Sequence, residues 1–218
     1  MKKFELTSEF VTFLGKKLFR IKALVSFGDV KEGELGGLVE KEENLDQSGD
    51  AWVYGNARVY GDARVYGDAR VSGNAWVSGN AWVSGNAWVS GDARVYGDAW
   101  VSGDARVYGD ARVYGNAGVS GNAWVSGDAR VYGDARVSGD ARVQNCRDYS
   151  ATSCFGSGNR TITFFRTKDG GISVRCGCFY GTLNEFREKV KERHGDSRLA
   201  KEYLMLADLM EFRLSKDE

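Results

Sequence analysis

Gly49-Asp50-Ala51-Trp52-Val53-Tyr54 opens a run of sixteen six-residue words that continues without insertion to Gln144. The word is Gly-[Asp/Asn]-Ala-[Arg/Trp]-Val-[Tyr/Ser], and its Gly, Ala and Val never change: Gly49 to Gly139, Ala51 to Ala141, Val53 to Val143. Ala and Val stand two residues apart, so on a strand both point inward, while the residues between and after them point out. Gly-[Asp/Asn] supplies the corner, because glycine accepts positive φ and Asp or Asn can bond its own backbone in a turn. One such unit cannot bury its apolar side alone. Stacking buries it, and the product is a β-solenoid, a rod that presents surface.

The spacing Val-x-x-x-Ala-x over residues 49–144 resembles the bacterial hexapeptide-repeat proteins. That resemblance implies a left-handed parallel β-helix with three words, 18 residues, in each coil. At the usual strand spacing the coils form a rod about 25 Å long. Folded at that period, the outward residues of one face read Trp52, Arg70, Trp88, Arg106, Trp124, Arg142. The second face reads Arg58, Trp76, Arg94, Arg112, Arg130, and the third Arg64, Trp82, Trp100, Gly118, Arg136. All six tryptophans are expected to face out, with guanidinium over indole down the columns, a contact worth about 0.5–1 kcal/mol at exposed sites.

An open solenoid end exposes unpaired backbone, so atypical caps are expected. Residues 1–48 form the N-terminal cap, with strand-like Phe4–Leu6 and Lys17–Ile21. Residues 145–218 form a small α+β C-terminal domain. In it Arg160–Arg166 and Ile172–Cys176 flank the turn residues Lys168–Gly171. Thr182 and Glu185 make a capping box for a helix ending near His194. Leu199, Tyr203, Leu206, Met210 and Leu214 set the period of a second helix from about Ser197 to Leu214. The fold class is therefore mainly β: a three-sided left-handed β-helix, an N-terminal cap and an α+β end domain.

Thirty basic and thirty acidic residues leave no net charge. That weighs against nucleic-acid binding by bulk electrostatics and equally against DNA mimicry. Lys2-Lys3 runs into Phe4-Glu5 rather than an apolar stretch, and no run approaches the roughly 20 apolar residues of a membrane span. A cytoplasmic protein with no membrane contact is expected. In a reducing compartment its four cysteines favour metal binding or burial over disulfides. Cys146, Cys154, Cys176 and Cys178, with His194 as an alternative ligand, are the candidates for a structural Zn²⁺, which takes four tetrahedral N or S ligands. A domain of this size often needs such a staple. Cys176 and Cys178 would lie about 6.5–7 Å apart on a straight strand, too far to share an ion unless Gly177 bends the chain.

Hexapeptide-repeat acyltransferases use a histidine at a subunit cleft. These repeats contain no histidine and no loop excursion, so no catalytic residue carries over and no enzyme is expected. The repeats also lack the threonine ladders of ice-binding solenoids. The remaining signal is the exposed array of Trp, Arg and Tyr, the residue types that dominate binding hot spots. Trp76, Trp82, Trp88 and Trp100, with Arg94, girdle the middle coils and are the candidate partner-binding residues. They could serve a partner protein or a homo-oligomer.

The stretches Leu18–Leu24, Phe27–Val30 and Gly33–Gly37 resemble the cap of a hexapeptide-repeat group of bacteria and their phages. Phe165–Gly170, Cys176–Phe179, Gly181–Leu183 and His194–Asp196 resemble a module of phage and prophage accessory proteins of Firmicutes. That likeness implies a phage context and no defined chemistry; from that context the expectation is a phage-encoded, anti-CRISPR type of protein whose partner is a host protein such as a CRISPR effector nuclease.

Overall fold

The computed structural model describes residues 2–156 and 158–215. The N-terminal segment holds β1 (Phe4–Phe13), β2 (Lys16–Ala23) and β3 (Leu35–Val39). Strands β4–β19 follow, one per word, each two residues long, from Trp52–Val53 to Arg142–Val143. The end domain holds β20 (Tyr149–Phe155), β21 (Arg160–Arg166), β22 (Ile172–Cys176), β23 (Phe179–Thr182), α1 (Leu183–His194) and α2 (Arg198–Leu214).

Every third repeat strand pairs in parallel with its neighbour 18 residues away, as Arg70 with Trp88 and Val71 with Val89. Three sheets result, ordered β4-β7-β10-β13-β16-β19, β5-β8-β11-β14-β17 and β6-β9-β12-β15-β18. The rod is thus a three-sided parallel β-solenoid. Each rung is stitched to the next by the same pair of bonds: Trp82 N–H donates to the Ala99 carbonyl and Ser84 N–H to the Val101 carbonyl, both at 2.9 Å. All sixteen alanines and sixteen valines are buried. The corner glycine is required twice over. Gly85 has φ +64°, and a Cβ there would lie 3.0 Å from the Gly103 nitrogen in the coil above.

Parallel stacking begins before the repeat does. Leu38 and Val39 of β3 pair with Arg58 and Val59, and Leu45 bridges to Val65. The cap is therefore an irregular first coil, and β2 and β1 extend its sheet antiparallel beyond the end of the rod. The carbonyls this coil leaves open are met by side chains. Lys3 Nζ donates to Ala51 O at 2.9 Å and reaches the carbonyls of Ser48 and Gly49, and burial holds its pKa below the usual lysine value. Asn44, fully buried, donates to the carbonyls of Gly61 and Ala63 at 3.0 and 2.8 Å.

At the other end β21 lies between two cores, and its alternation serves both. Phe165 joins the solenoid core together with Tyr149. Ile162 and Phe164 join a second core with Val174, Phe186, Val190, Tyr203 and Met210. The last coil is closed by Thr163, whose hydroxyl accepts the Arg136 N–H at 3.0 Å, by Lys168 N–H donating to Asp140 O at 2.9 Å, and by the Tyr149 hydroxyl donating to the Arg130 carbonyl. The capping box at α1 forms as expected, with Thr182 Oγ1 accepting Glu185 N–H and Glu185 Oε2 accepting Thr182 N–H. Among the described residues no helix is long and apolar enough to cross a membrane.

Candidate interaction surface

The repeats put Arg and Trp at matching heights on each sheet, so the columns form by register. Arg94 lies over Trp76 at 4.4 Å, Arg106 over Trp124 at 5.2 Å and Arg142 over Trp124 at 4.2 Å. The corner residues are matched too. Asn80 donates to Asp98 at 2.8 Å and Asn86 to Asp104 at 2.9 Å, which replaces carboxylate repulsion between coils with a hydrogen bond. Gly118 is the one word without Arg or Trp, and the structure accounts for it: a Cβ there would sit 2.3 Å from the Trp100 ring. Trp100 lies over that glycine, and Arg136, two coils away from it, reaches its indole at 5.6 Å.

The tryptophans are not equally available, contrary to the expectation that all six face solvent. Trp52 is fully buried, because Phe4 and Phe27 close over its ring, with centroids at 6.2 and 5.4 Å. Trp76 is half-buried. Phe13, at the tip of the β1–β2 hairpin, meets it edge-on at 4.8 Å, and Arg94 covers it further. Trp100 is half-buried over Gly118. Trp124 is half-buried, with Arg106 and Arg142 over its ring. Trp82 and Trp88 remain, 52% and 42% exposed. They sit on adjacent sheets and flank the corner at Gly85-Asn86.

Tyr66, which the sequence reading did not select, flanks the same edge at 36% exposure. It shares with Trp82 a depression of about 580 Å³ walled by Glu42, Glu43, Asp46 and Arg64. Three of the four exposed aromatic residues of the repeats therefore border one edge of the prism; the fourth is Tyr132. The next outward residue after Trp82 and Trp88 is serine, Ser84 and Ser90, too short to cover an indole.

The cysteines are not gathered as a four-thiolate site. Cys146 is exposed in the turn that leaves the last coil, and Cys154 is exposed on β20 at a register irregularity, with φ +57°. Cys176 and Cys178 flank Gly177 in the tight β22–β23 hairpin, where Gly177 takes φ +59°. His194 lines the same pocket as these two. All four thiols are free, and among the described residues no three His, Cys, Asp or Glu side chains are placed to hold a metal ion. The donor set does not fit the tetrahedral zinc site that the spacing suggested. Burial pushes the Cys176 thiol up, against the opposing pull of the Arg160 guanidinium.

Seven overlapping segments across residues 51–127 match the YdcK beta solenoid repeat: 51–67, 63–79, 75–91, 87–103, 99–115, 105–121 and 111–127. The rod is similar to that repeat. The likeness covers residues 51–127, most of the repeats, and neither end domain, and it agrees with the solenoid seen in the structure. No match to a curated protein was found.

Proposed function

We propose that this chain is a non-enzymatic binding protein that docks on a partner protein along the solenoid edge bordered by Tyr66, Trp82 and Trp88. The observation that carries the reading is the clustering of three of the four exposed repeat aromatics on one edge, while Trp52, Trp76, Trp100 and Trp124 are taken up by internal packing or covered by arginine. Large aromatic side chains held rigidly on a scaffold are the usual anchors of protein interfaces. The depression beside Trp82, with its three carboxylates, suits a basic side chain of the partner.

The partner class follows from the phage-module likeness of the end domain: a host defence protein, with a CRISPR effector nuclease as the first to test. The chain would act as a phage-encoded inhibitor in the host cytoplasm. Zero net charge favours contact with protein surface over imitation of DNA.

The test is binding of the purified chain to guide-loaded CRISPR effector nucleases of Firmicutes hosts by interferometry, alongside target cleavage. Trp82→Ala and Trp88→Ala should each weaken binding by about 30-fold, the size of a hot-spot loss near 2 kcal/mol. Unchanged affinity in the double variant would move the interface, first to the exposed Met205, Leu209 and Phe212 stripe of α2. Absence of binding to every nuclease would remove that partner class.

A further inference from the structure

The end domain contains a pocket of about 520 Å³ between the β22–β23 hairpin and α1. That volume lies within the range of small-molecule sites, about 300–1,000 Å³. Its floor is apolar: Phe186, Val190 and Tyr203 are buried there, with Phe179 5.6 Å from Phe186 and His194 stacked on Tyr203 at 5.6 Å. Its charged lining is entirely basic. Arg160, Lys189 and Arg193 face it, and no Asp or Glu does. In a chain of zero net charge, that is a local concentration of one sign.

Arg193 lies in the last turn of α1, where basic residues offset the helix dipole, and Lys189, in the middle of the helix, is already paired with Glu192 at 2.7 Å. Arg160 has no such reason to be there. It comes from β21 on the opposite wall and makes no ion pair among the described residues. Its guanidinium is seated on glycine backbone instead. A Cβ at Gly177 would lie 2.4 Å from Arg160 Nη1, and one at Gly158 would lie 3.0 Å from its Nε. Two missing side chains thus leave room for one guanidinium beside the two thiols. Arg193 likewise makes no ion pair among the described residues, so both arginines keep donors for an incoming oxyanion.

We infer that this pocket binds a small organic anion with a planar apolar body, the body on Phe186, Val190 and Tyr203 and the anionic group between Arg160 and Arg193. The site is separate from the proposed docking edge, and neither depends on the other.

The cysteines provide a mapped readout. Cys178 lines the pocket and is exposed, whereas Cys146 and Cys154 are exposed outside it. The full chain is titrated with 2-naphthoate, with neutral 2-naphthalenemethanol and with inorganic phosphate alone, by calorimetry. In parallel, iodoacetamide labelling of each cysteine is followed by mass spectrometry. The expected result is saturable naphthoate binding at least tenfold tighter than either control. Labelling of Cys178 should slow severalfold while Cys146 and Cys154 are unaffected. Arg160→Gln with Arg193→Gln should abolish the preference for the anion and leave the amide spectrum of the solenoid unchanged. The inference is overturned by equal affinity for the neutral compound, by absence of saturation, by equal protection of all the exposed thiols, or by naphthoate binding that survives both substitutions.

Discussion

Trp52 and Trp82 hold the same place in the same six-residue word, yet one is fully buried and the other is 52% exposed. The difference does not come from the word. Around Trp52 the N-terminal segment supplies Phe4 from β1 and Phe27 from the loop before β3, and Gly36 leaves room for the ring. Around Trp82 the adjacent coils supply Arg64 and Trp100 in register, and no residue of the N-terminal segment closes over its ring as Phe4 and Phe27 close over Trp52. The repeat dictates the rod; what becomes of Trp52 and Trp76 is decided by the non-repeating N-terminal segment.

The sharpest test of this contrast is removal of each ring. Trp52→Ala empties a packed site and should lower stability by about 3–5 kcal/mol in urea unfolding followed by circular dichroism. Trp82→Ala should stay within about 0.5 kcal/mol. Equal losses would mean that the cap contributes nothing at Trp52. Trp52 also has a buried indole N–H without an acceptor, so Trp52→Phe should recover much of the loss.

A second break lies inside the rod. Gly118→Arg restores the common word but drives its Cβ into the Trp100 ring. Overpacking of this kind costs about 1–3 kcal/mol. The same substitution in a Trp100→Ala background should be close to neutral, and a double-mutant cycle on thermal unfolding measures that coupling. An additive result would leave Gly118 without its steric reason.

The rod is legible in the residues because each word carries its own turn, inward pair and outward pair, so local pattern and tertiary structure coincide. The two C-terminal helices and the β21–β22 hairpin are legible for the same reason. The burial of Trp52 depends on Phe4 and Phe27, which no period connects to it. A trace exists even so: five tryptophans of the repeats are followed by Val-Ser, and Trp52 alone by Val-Tyr, because Tyr54 anchors the cap. Gly118, one coil after Trp100, was visible as an exception whose cause needed the register. The cysteines misled because spacing says nothing of chain path. Cys176 and Cys178 are hairpin neighbours, but Cys146 belongs to the end of the rod and Cys154 to a different strand.

The smallest effect concerns the clasp that holds Phe27 over Trp52. Asp29 accepts a hydrogen bond from the Tyr54 hydroxyl at 2.9 Å and from Arg70 Nη1 at 2.8 Å. Partial burial works to raise the Asp29 pKa, but these hydrogen bonds and the Arg70 charge hold it below its ordinary value. Burial first, and then the bond to Asp29, pushes the Tyr54 hydroxyl up to about 12. A carboxyl with a lowered folded pKa stabilises fully above its unfolded value, and that stabilisation is lost as pH falls through the folded one. A phenol with a raised folded pKa stabilises fully below pH 10 and loses the effect as pH rises through about 12. The clasp should therefore loosen at both extremes. Asp29 is half-exposed and the contribution is that of a surface pair, about 0.2–1 kcal/mol. Amide exchange at Phe27–Val30 should quicken below pH 4 before exchange in the middle coils does, and Asp29→Asn should remove most of that acid dependence. Parallel quickening of the middle coils would show that the cap and the bare rod share one acid response, and the contrast between Trp52 and Trp82 would then not extend to their pH dependence.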